Sequence, residues 1–499
     1  WQPRYLTRFV ITNGGPELTA GTGLLVWNLA EEDFGGGTSG PAYYAVTSVD
    51  DQGFENVINF SVANSIGPVS ESVDFPAPVL SKTAVGGTHK IYTQFMDLRT
   101  WNATMDAPGP NFGYFGLNPN LPGVFNSIQY AYTYAVVPPT GGACQDLGTT
   151  KPLVVYLHGH GGHKYRPITA DSDPTWCDAF RIYPVDISNT WWFGFANDYD
   201  YRFGSGMPPP SGSTIENFTE QRVLRMVKDL LRDSTYGPQI DPERIYVVGH
   251  SMGGGGTMAM ALRYPGLFAG AYADQAMMDQ AESPPTVDDD FVADAIIKWG
   301  SVFDNLPVAF GDVEGEDVWI APYEGTGVWD WQDHQENLET RVGDPAVPFG
   351  QTHSIADPVI DWPTQGAPSY AAYETSRHVW AGAVKNITHV SSAMTGLPPT
   401  MGEDGFGLPF AGFQVVRSES LPAFHACDTD PEIPPMGVVE YHHGVEWSAS
   451  WNDFDGPPID TGPLWGVTLR STDLETRHVD ITPRRLQTFK TRSGQLYSW

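Results

Sequence analysis

The chain has 499 residues, with 59 acidic against 27 basic side chains and a formal net charge of −32. The length suggests about two to four domains, and 41% hydrophobic and 13% aromatic content excludes a wholly disordered chain. The negative balance excludes the positive footprint that nucleic acid and anionic membranes need, and no apolar run reaches the roughly 18 residues of a spanning helix.

Residues 1–85 read as small strands. Leu24–Trp27 is an apolar run after a Gly-rich turn, Tyr43–Val49 alternates, and Val57–Val62 alternates again, with Gly, Asp and Asn between them. The stretch YYAVTSVDDQGFEN, starting at Tyr43, resembles the late strand and turn of a fibronectin type III domain. The resemblance implies a β-sandwich-like module over 1–85, acting as a spacer or, alternatively, binding carbohydrate or polymer. FPAPVLSK then reads as linker sequence, and 86–124 as the linker itself.

From residue 125 the pattern changes. IQYAYTYAVVP and KPLVVYLHGHGG read as strands. Thr219–Asp233 reads as a helix, because Val223, Met226, Val227, Leu230 and Leu231 recur at helical spacing. RIYVVGHS is a buried strand that runs into Gly253–Gly256 and a helix over Thr257–Tyr264, stopped by Pro265-Gly266. AGAYADQ begins the next strand. Strand-helix alternation over 125–395 predicts an α/β core, with a mainly parallel sheet and helices on both faces. Residues 275–345 interrupt it as an acidic, Trp-rich insertion (Asp288, Asp289, Asp290; Trp299, Trp319, Trp329, Trp331). Residues 396–499 read as a C-terminal β-rich region, packed on the core or forming its own sandwich.

The motif that carries chemistry is Gly249-His250-Ser251-Met252-Gly253, a G-x-S-x-G between a strand and a helix. Ser251 must sit on a tight turn, so small residues are required at 249 and 253. The following helix points its N-terminus at the site, where developing negative charge is favoured. The Met252 N–H is then one oxyanion donor. A second loop, His158-Gly159-His160-Gly161-Gly162, follows the strand Leu153–Leu157 and is placed to offer a second N–H from Gly159 or His160. His158, His160 and His163 carry metal-like spacing, but no carboxylate or Cys completes a ligand set, so no metal is expected.

HGHGG followed by DPERIYVVGHSMGGGGTMAMALRYPGLFAG resembles the α/β-hydrolase fold, and within it secreted esterases of the feruloyl-esterase and polyhydroxybutyrate-depolymerase type. The resemblance spans about 125–270 and 345–392. It implies the chain order Ser, acid, His. Asp357, in VPFGQTHSIADPVIDW, matches the acid, with Asp361 as the alternative. His389, in KNITHVSS after a helix and a strand, matches the base. His425 is the alternative, and the doublet His442-His443 comes third.

The expected function is therefore a secreted serine carboxylic-ester hydrolase without cofactor. Its substrates are expected to be polymer-linked or polymeric esters, including feruloyl or acetyl polysaccharide esters and polyesters. A chain opening at Trp1, with no Met and no signal-peptide pattern, fits either a mature secreted protein or a trimmed chain. The alternatives are a prolyl-oligopeptidase-like serine peptidase, for which no propeller repeat is visible, and a binding protein with an inactive core. No nucleic acid or membrane partner is expected. The oligomeric state and the pairing of Cys144, Cys177 and Cys427 stay open.

Overall fold

The computed structural model describes residues 10–16, 29, 31–48, 50–55, 60–74, 76–83, 89–95, 131–140, 148–161, 178–186, 189–196, 209–285, 290–310, 326–389, 414–433, 437–442, 444–450, 456–471 and 475–492. The expectations for Leu24–Trp27, Cys144, Cys177, His163, Trp319, Asp288, Asp289 and His443 fall outside them.

The first described strands are β1 (Ser39–Ala45) and β2 (Ser65–Ser72), an antiparallel ribbon. Among the described residues the sandwich-like module expected over 1–85 is represented by this ribbon alone, and part of the expected strand Val57–Val62 lies outside them. The ribbon's side chains are exposed or half-buried, Tyr43 and Ile66 among the exposed ones, and none is fully buried. The linker-like FPAPVLSK instead contributes β3 (Val79–Thr83), which pairs with β4 (Lys90–Phe95). Both belong to the central sheet, which therefore extends upstream of residue 125.

The other strands of that sheet are β5 (Ala131–Val137), β6 (Lys151–Leu157), β7 (Phe180–Tyr183), β10 (Ile240–His250), β11 (Gly270–Asp274), β13 (Phe349–Ser354), β14 (Trp380–Lys385) and β16 (Val439–Tyr441). Their spatial order is β16-β14-β13-β11-β10-β6-β7-β5-β4-β3. The six strands from β14 to β7 run parallel, and antiparallel strands flank them on both sides. Short strands β8 (Phe195–Ala196), β9 (Ile215–Glu216) and β12 (Val308–Ala309) form a separate small sheet.

Parallel strands are buried on both faces, and this explains their near-continuous apolar sequence. Leu153, Val155, Leu157, Ile245 and Val247 point to one core, while Val154, Tyr156, Tyr246 and Val248 point to the other. The described helices are α1 (Phe218–Arg232), α2 (Met252–Arg263), α3 (Phe291–Trp299), α4 (Val328–Gln332), α5 (His334–Thr340) and α6 (Ala367–Ser376). All six send side chains into the first core.

Helices on both faces were expected; the described helices all lie on the first face. Among the described residues the second face is covered by the C-terminal region: Val415, Leu421, Ala423, Phe424, Val445 and Trp447 bury themselves on Tyr156, Tyr246 and Tyr272. Apart from Val415, which precedes them, these residues come from β15 (Leu421–His425), which pairs with β21 (Asp480–Arg484), and from β17 (Val445–Trp447), which pairs with β20 (Leu469–Ser471). A further ribbon joins β18 (Ile459–Asp460) and β19 (Trp465–Gly466). The reason is steric: large tyrosines on this face need a broad apolar cover, and short strands supply it. Backbone contacts fasten the cover: Tyr246 donates its phenol to Val415 O, and Arg417 N donates to Glu243 O at 2.9 Å.

The insertion supplies α3, α4, α5 and β12. Trp299, Trp329 and Trp331 are buried in the first core, and Trp299 Nε1 donates to Gly194 O at 2.8 Å. They serve as the insertion's own packing against the sheet. No described helix is long and apolar enough to cross a membrane.

Candidate active site

Ser251 lies between β10 and α2 at φ 59° and ψ −123°. A non-glycine residue held there costs about 1–3 kcal/mol, so the surroundings must enforce the turn. Two close approaches do so. A Cβ on Gly249 would lie 2.2 Å from Gly253 O, and one on Gly253 would lie 2.0 Å from Leu157 O. The turn also anchors sideways, because Ser251 N donates to Asp274 O at 2.9 Å. The small residues expected at 249 and 253 are thus required by backbone contact. The four glycines 253–256 lie inside α2, which starts at Met252 rather than at Thr257. Tight packing overrides their weak helix propensity.

Ser251, Asp357 and His389 follow β10, β13 and β14, three parallel strands that end at the same edge of the sheet. The structure brings their side chains together. His389 Nε2 is 2.9 Å from Ser251 Oγ, and His389 Nδ1 is 2.7 Å from Asp357 Oδ2. A carboxylate accepts only, so Nδ1 carries the proton and Nε2 accepts from the Ser251 hydroxyl. The other oxygen of Asp357, Oδ1, accepts from Val359 N at 2.8 Å and Ile360 N at 2.9 Å. These bonds fix the carboxylate plane. The Asp357 side chain is fully buried, and that of His389 is 14% exposed, so the chain of bonds meets solvent at the imidazole.

The alternatives are placed elsewhere. Asp361 caps the π-helical turn Trp362–Gly366, accepting from Thr364 N at 3.1 Å. His425 sits in β15 with Nε2 2.8 Å from Thr482 Oγ1. His442 Nδ1 donates to Trp380 O at 2.8 Å, with Nε2 3.3 Å from Asp430 Oδ2. None of these contacts reaches Ser251.

The loop after β6 lies against the nucleophile turn: a Cβ on Gly159 would be 3.3 Å from His250 O and 3.4 Å from Ser251 Cβ. No protein acceptor takes the N–H of Met252 or of His160 among the described residues. The loop is held by Asp186 and Asn189, which belong to no motif, and by Trp192, whose place between the loop strand and the long helix marks it in the sequence as a candidate wall of the site. Asp186 N donates to His158 Nε2 at 3.0 Å, and Trp192 Nε1 donates to His158 O at 3.0 Å. Asn189 Oδ1 accepts from Gly161 N at 3.0 Å, while its Nδ2 donates to His160 Nε2 at 3.0 Å. Asn189, Trp191 and Trp192 all take positive φ, so a strained turn braces this loop. Phe291 of α3 packs on His160 and Trp191, with ring centroids 5.4 and 5.3 Å apart. The insertion therefore touches the site through Phe291. Trp191 also lines a small cavity with Gly255, Met277, Gln280, Gln332 and His334.

The ring nitrogens of His158 are engaged by Asp186 N and Gly159 O, which removes it as a ligand. Among the described residues no group of three His, Cys, Asp or Glu is arranged to hold a metal. Cys427 is buried and unbridged, 2.9 Å from Thr429 Oγ1.

Residues 152–325 match the sequence family described as alpha/beta hydrolase fold. Together with the sheet order this gives the chain the α/β-hydrolase fold. Among curated proteins none matches. Solved structures with a similar fold include an S-formylglutathione hydrolase from Agrobacterium tumefaciens, at 14% identity and TM-score 0.39, over 67% of this chain and 98% of that one. An acylaminoacyl peptidase from Pyrococcus horikoshii matches at 14% identity and TM-score 0.34, over 67% of this chain and 50% of that one. A ferulic acid esterase matches at 15% identity and TM-score 0.32, over 53% of this chain and 88% of that one.

Proposed function

We propose that the chain is a serine carboxylic-ester hydrolase that works through Ser251, His389 and Asp357. The observation that carries this reading is the continuous bond chain from Ser251 Oγ through the His389 imidazole to the buried Asp357 carboxylate. In the proposed cycle Ser251 Oγ attacks the ester carbonyl while His389 Nε2 takes its proton. The tetrahedral oxyanion is held by the N–H groups of Met252 and His160, or Gly159, a contribution of about 3–4 kcal/mol per donor. His389 returns the proton to the leaving alcohol, which departs and leaves an acyl-Ser251. Water, deprotonated by His389, then attacks the acyl carbon. The acid leaves, and the Ser251 hydroxyl is restored. Asp357 keeps the imidazole in one tautomer and stabilises its cationic form.

The substrate we propose is an ester carried on or within a polymer, met outside the cell. The excess of 59 acidic over 27 basic residues supports this, since a highly charged surface stays soluble in salt.

The test is hydrolysis of a chain-length series of p-nitrophenyl esters, with Ser251→Ala as the blank and a p-nitroanilide alongside. Ester turnover that disappears in Ser251→Ala supports the reading. Turnover of the anilide alone would move it to a peptidase. A folded protein silent on both, and equally silent on polymeric esters, would overturn it.

A further inference from the structure

A second acid–imidazole pair lies beside the first. Asp274, the last residue of β11, has a fully buried side chain, and its Oδ2 accepts from His250 Nδ1 at 2.7 Å. Its Oδ1 has no hydrogen-bond partner among the described residues. His250 immediately precedes Ser251. Its ring lies over that of His389, with centroids 4.7 Å apart and planes 34° apart. The bonds of His389 to Ser251 and Asp357 both lie along its ring plane and leave its face unrestrained. The His250 ring occupies that face.

We infer that Asp274 and His250 are positioning residues for His389: the His250 ring fixes the plane of the imidazole, and the Asp274 carboxylate favours the positive charge His389 gains when Ser251 is deprotonated. This rests on the proposed role of Ser251 and His389.

The argument is electrostatic and geometric. The fully buried Asp274 carboxylate lies one hydrogen bond from the ring that packs on the His389 imidazole. Fixed charges in a water-poor site act strongly on charge that appears only in the transition state. Other groups face the same space. Asp357 lies at Nδ1. His353 of β13 bonds through Nε2 to Ile360 O at 3.0 Å and interacts electrostatically with Asp357, Asp274 and His389. Burial keeps His353 below its ordinary value, against the pull of the two carboxylates, so it is neutral and adds no repulsion. Tyr272 neighbours Asp274, and its phenol is held neutral first by burial and then by that carboxylate. The backbone adds a mechanical link: Asp274 O accepts from Ser251 N, so one residue holds both the nucleophile turn and, through His250, the base.

Asp274→Asn separates charge from shape, because its amide oxygen still accepts from His250. The expected result is a fall in kcat of about tenfold with KM unchanged. The low-field N–H proton shared by His389 and Asp357 should persist in the NMR spectrum, since the geometry is kept. His250→Gln retains a donor to Asp274 but removes the ring. It should lower kcat similarly, and the double variant should be no worse than about either single one, because the two act as a unit. A folded Asp274→Asn with wild-type kcat overturns the inference. So does loss of the low-field proton with kcat and KM changing together, which marks a merely structural role. Should Asp274→Asn not fold, His250→Gln decides alone by the same kcat and KM criterion. Covalent labelling of Ser251 by a fluorophosphonate separates the two levels. A wild-type protein that is not labelled removes the proposed function and this inference with it. A labelled wild type with an unaffected Asp274→Asn removes the inference alone.

Discussion

The carbonyl oxygen of Leu157 occupies the space a side chain on Gly253 would need, 2.0 Å from the position of its Cβ. Strand β6 and the nucleophile turn are therefore in backbone contact, and the loop that carries His160 begins at that contact. Gly253→Ala forces the two apart. Overpacking of this kind costs about 3 kcal/mol here, at the upper end of its usual range, because the clash is with backbone. The expected result is a lower midpoint in guanidinium unfolding and loss of esterase activity together. A Gly253→Ala protein with wild-type stability would show that the turn relaxes in a way this geometry does not allow.

Asp357→Asn tests the third member of the bond chain. The asparagine oxygen can still accept from Val359 N and Ile360 N, so the fold should survive. Its amide then faces His389 Nδ1 as a donor, which favours the tautomer with the proton on Nε2. In Ser-His-Asp hydrolases that change lowers kcat by about 10⁴-fold, and the same order is expected here on p-nitrophenyl esters. Asp361→Asn should leave kcat within about twofold, since Asp361 caps a turn. The reverse pattern would exchange their roles.

The parts of the site that follow from local rules are legible in the sequence. Ser251 is marked by its glycines, and Asp357 and His389 by their places after successive strands in a recognisable order. Their bracing is not legible. Asn189 lies 28 residues from Gly161, and Asp274 lies 24 from His250. Only the sheet order brings those pairs together, and neither pair has a motif. Helix α1 could be read from the 3.6-residue spacing of Val223, Met226, Val227, Leu230 and Leu231. The cover of the sheet's second face could not, because the short C-terminal strands bury large residues singly and show no period. FPAPVLSK misleads for a related reason: its prolines signal a linker, yet its last residues Val79–Lys82 pair at the sheet edge, where proline nearby is tolerated.

Asn189 holds the loop through two bonds, one to the backbone and one to the ring of His160. Asn189→Ala removes both and adds strain to the turn, since alanine tolerates the φ of 51° at this position less well than asparagine. The loop should then present its oxyanion donor less sharply. A loss in kcat of about tenfold is expected, below the full loss of one donor, with little change in KM. Asn189→Asp preserves the acceptor for Gly161 N but not the donor to His160, and an intermediate kcat is expected. Equal kcat in Asn189→Ala and wild type would mean that the loop keeps its shape unaided.

Stability should peak between about pH 4.5 and 6.5 and fall on both sides, for reasons set by different buried groups. His334 and His378 are pushed down to about 3 and His425 to about 4, in each case by burial first, with Arg263 adding to this for His334 and Arg484 for His378 and His425. For His425, Glu374 pulls the other way. These histidines stay neutral in the folded protein but take protons when unfolded below about pH 6.5. They therefore draw stability away as pH falls from about 6.5 towards 3. Glu216 is pushed up to about 8 by burial, and Asp333 to about 7, chiefly by burial. Both bind a proton in the folded state that the unfolded chain has already released above about pH 4.5. They draw stability away as pH rises towards 8. Between about 4.5 and 6.5 the two trends oppose each other, leaving a plateau. Guanidinium midpoints measured from pH 3 to 9 check this. Glu216→Gln should flatten the alkaline fall, and His334→Gln the acid one. A profile that rises steadily to pH 9, or one that Glu216→Gln leaves unchanged above pH 6.5, would refute the assignment of the alkaline limb to Glu216.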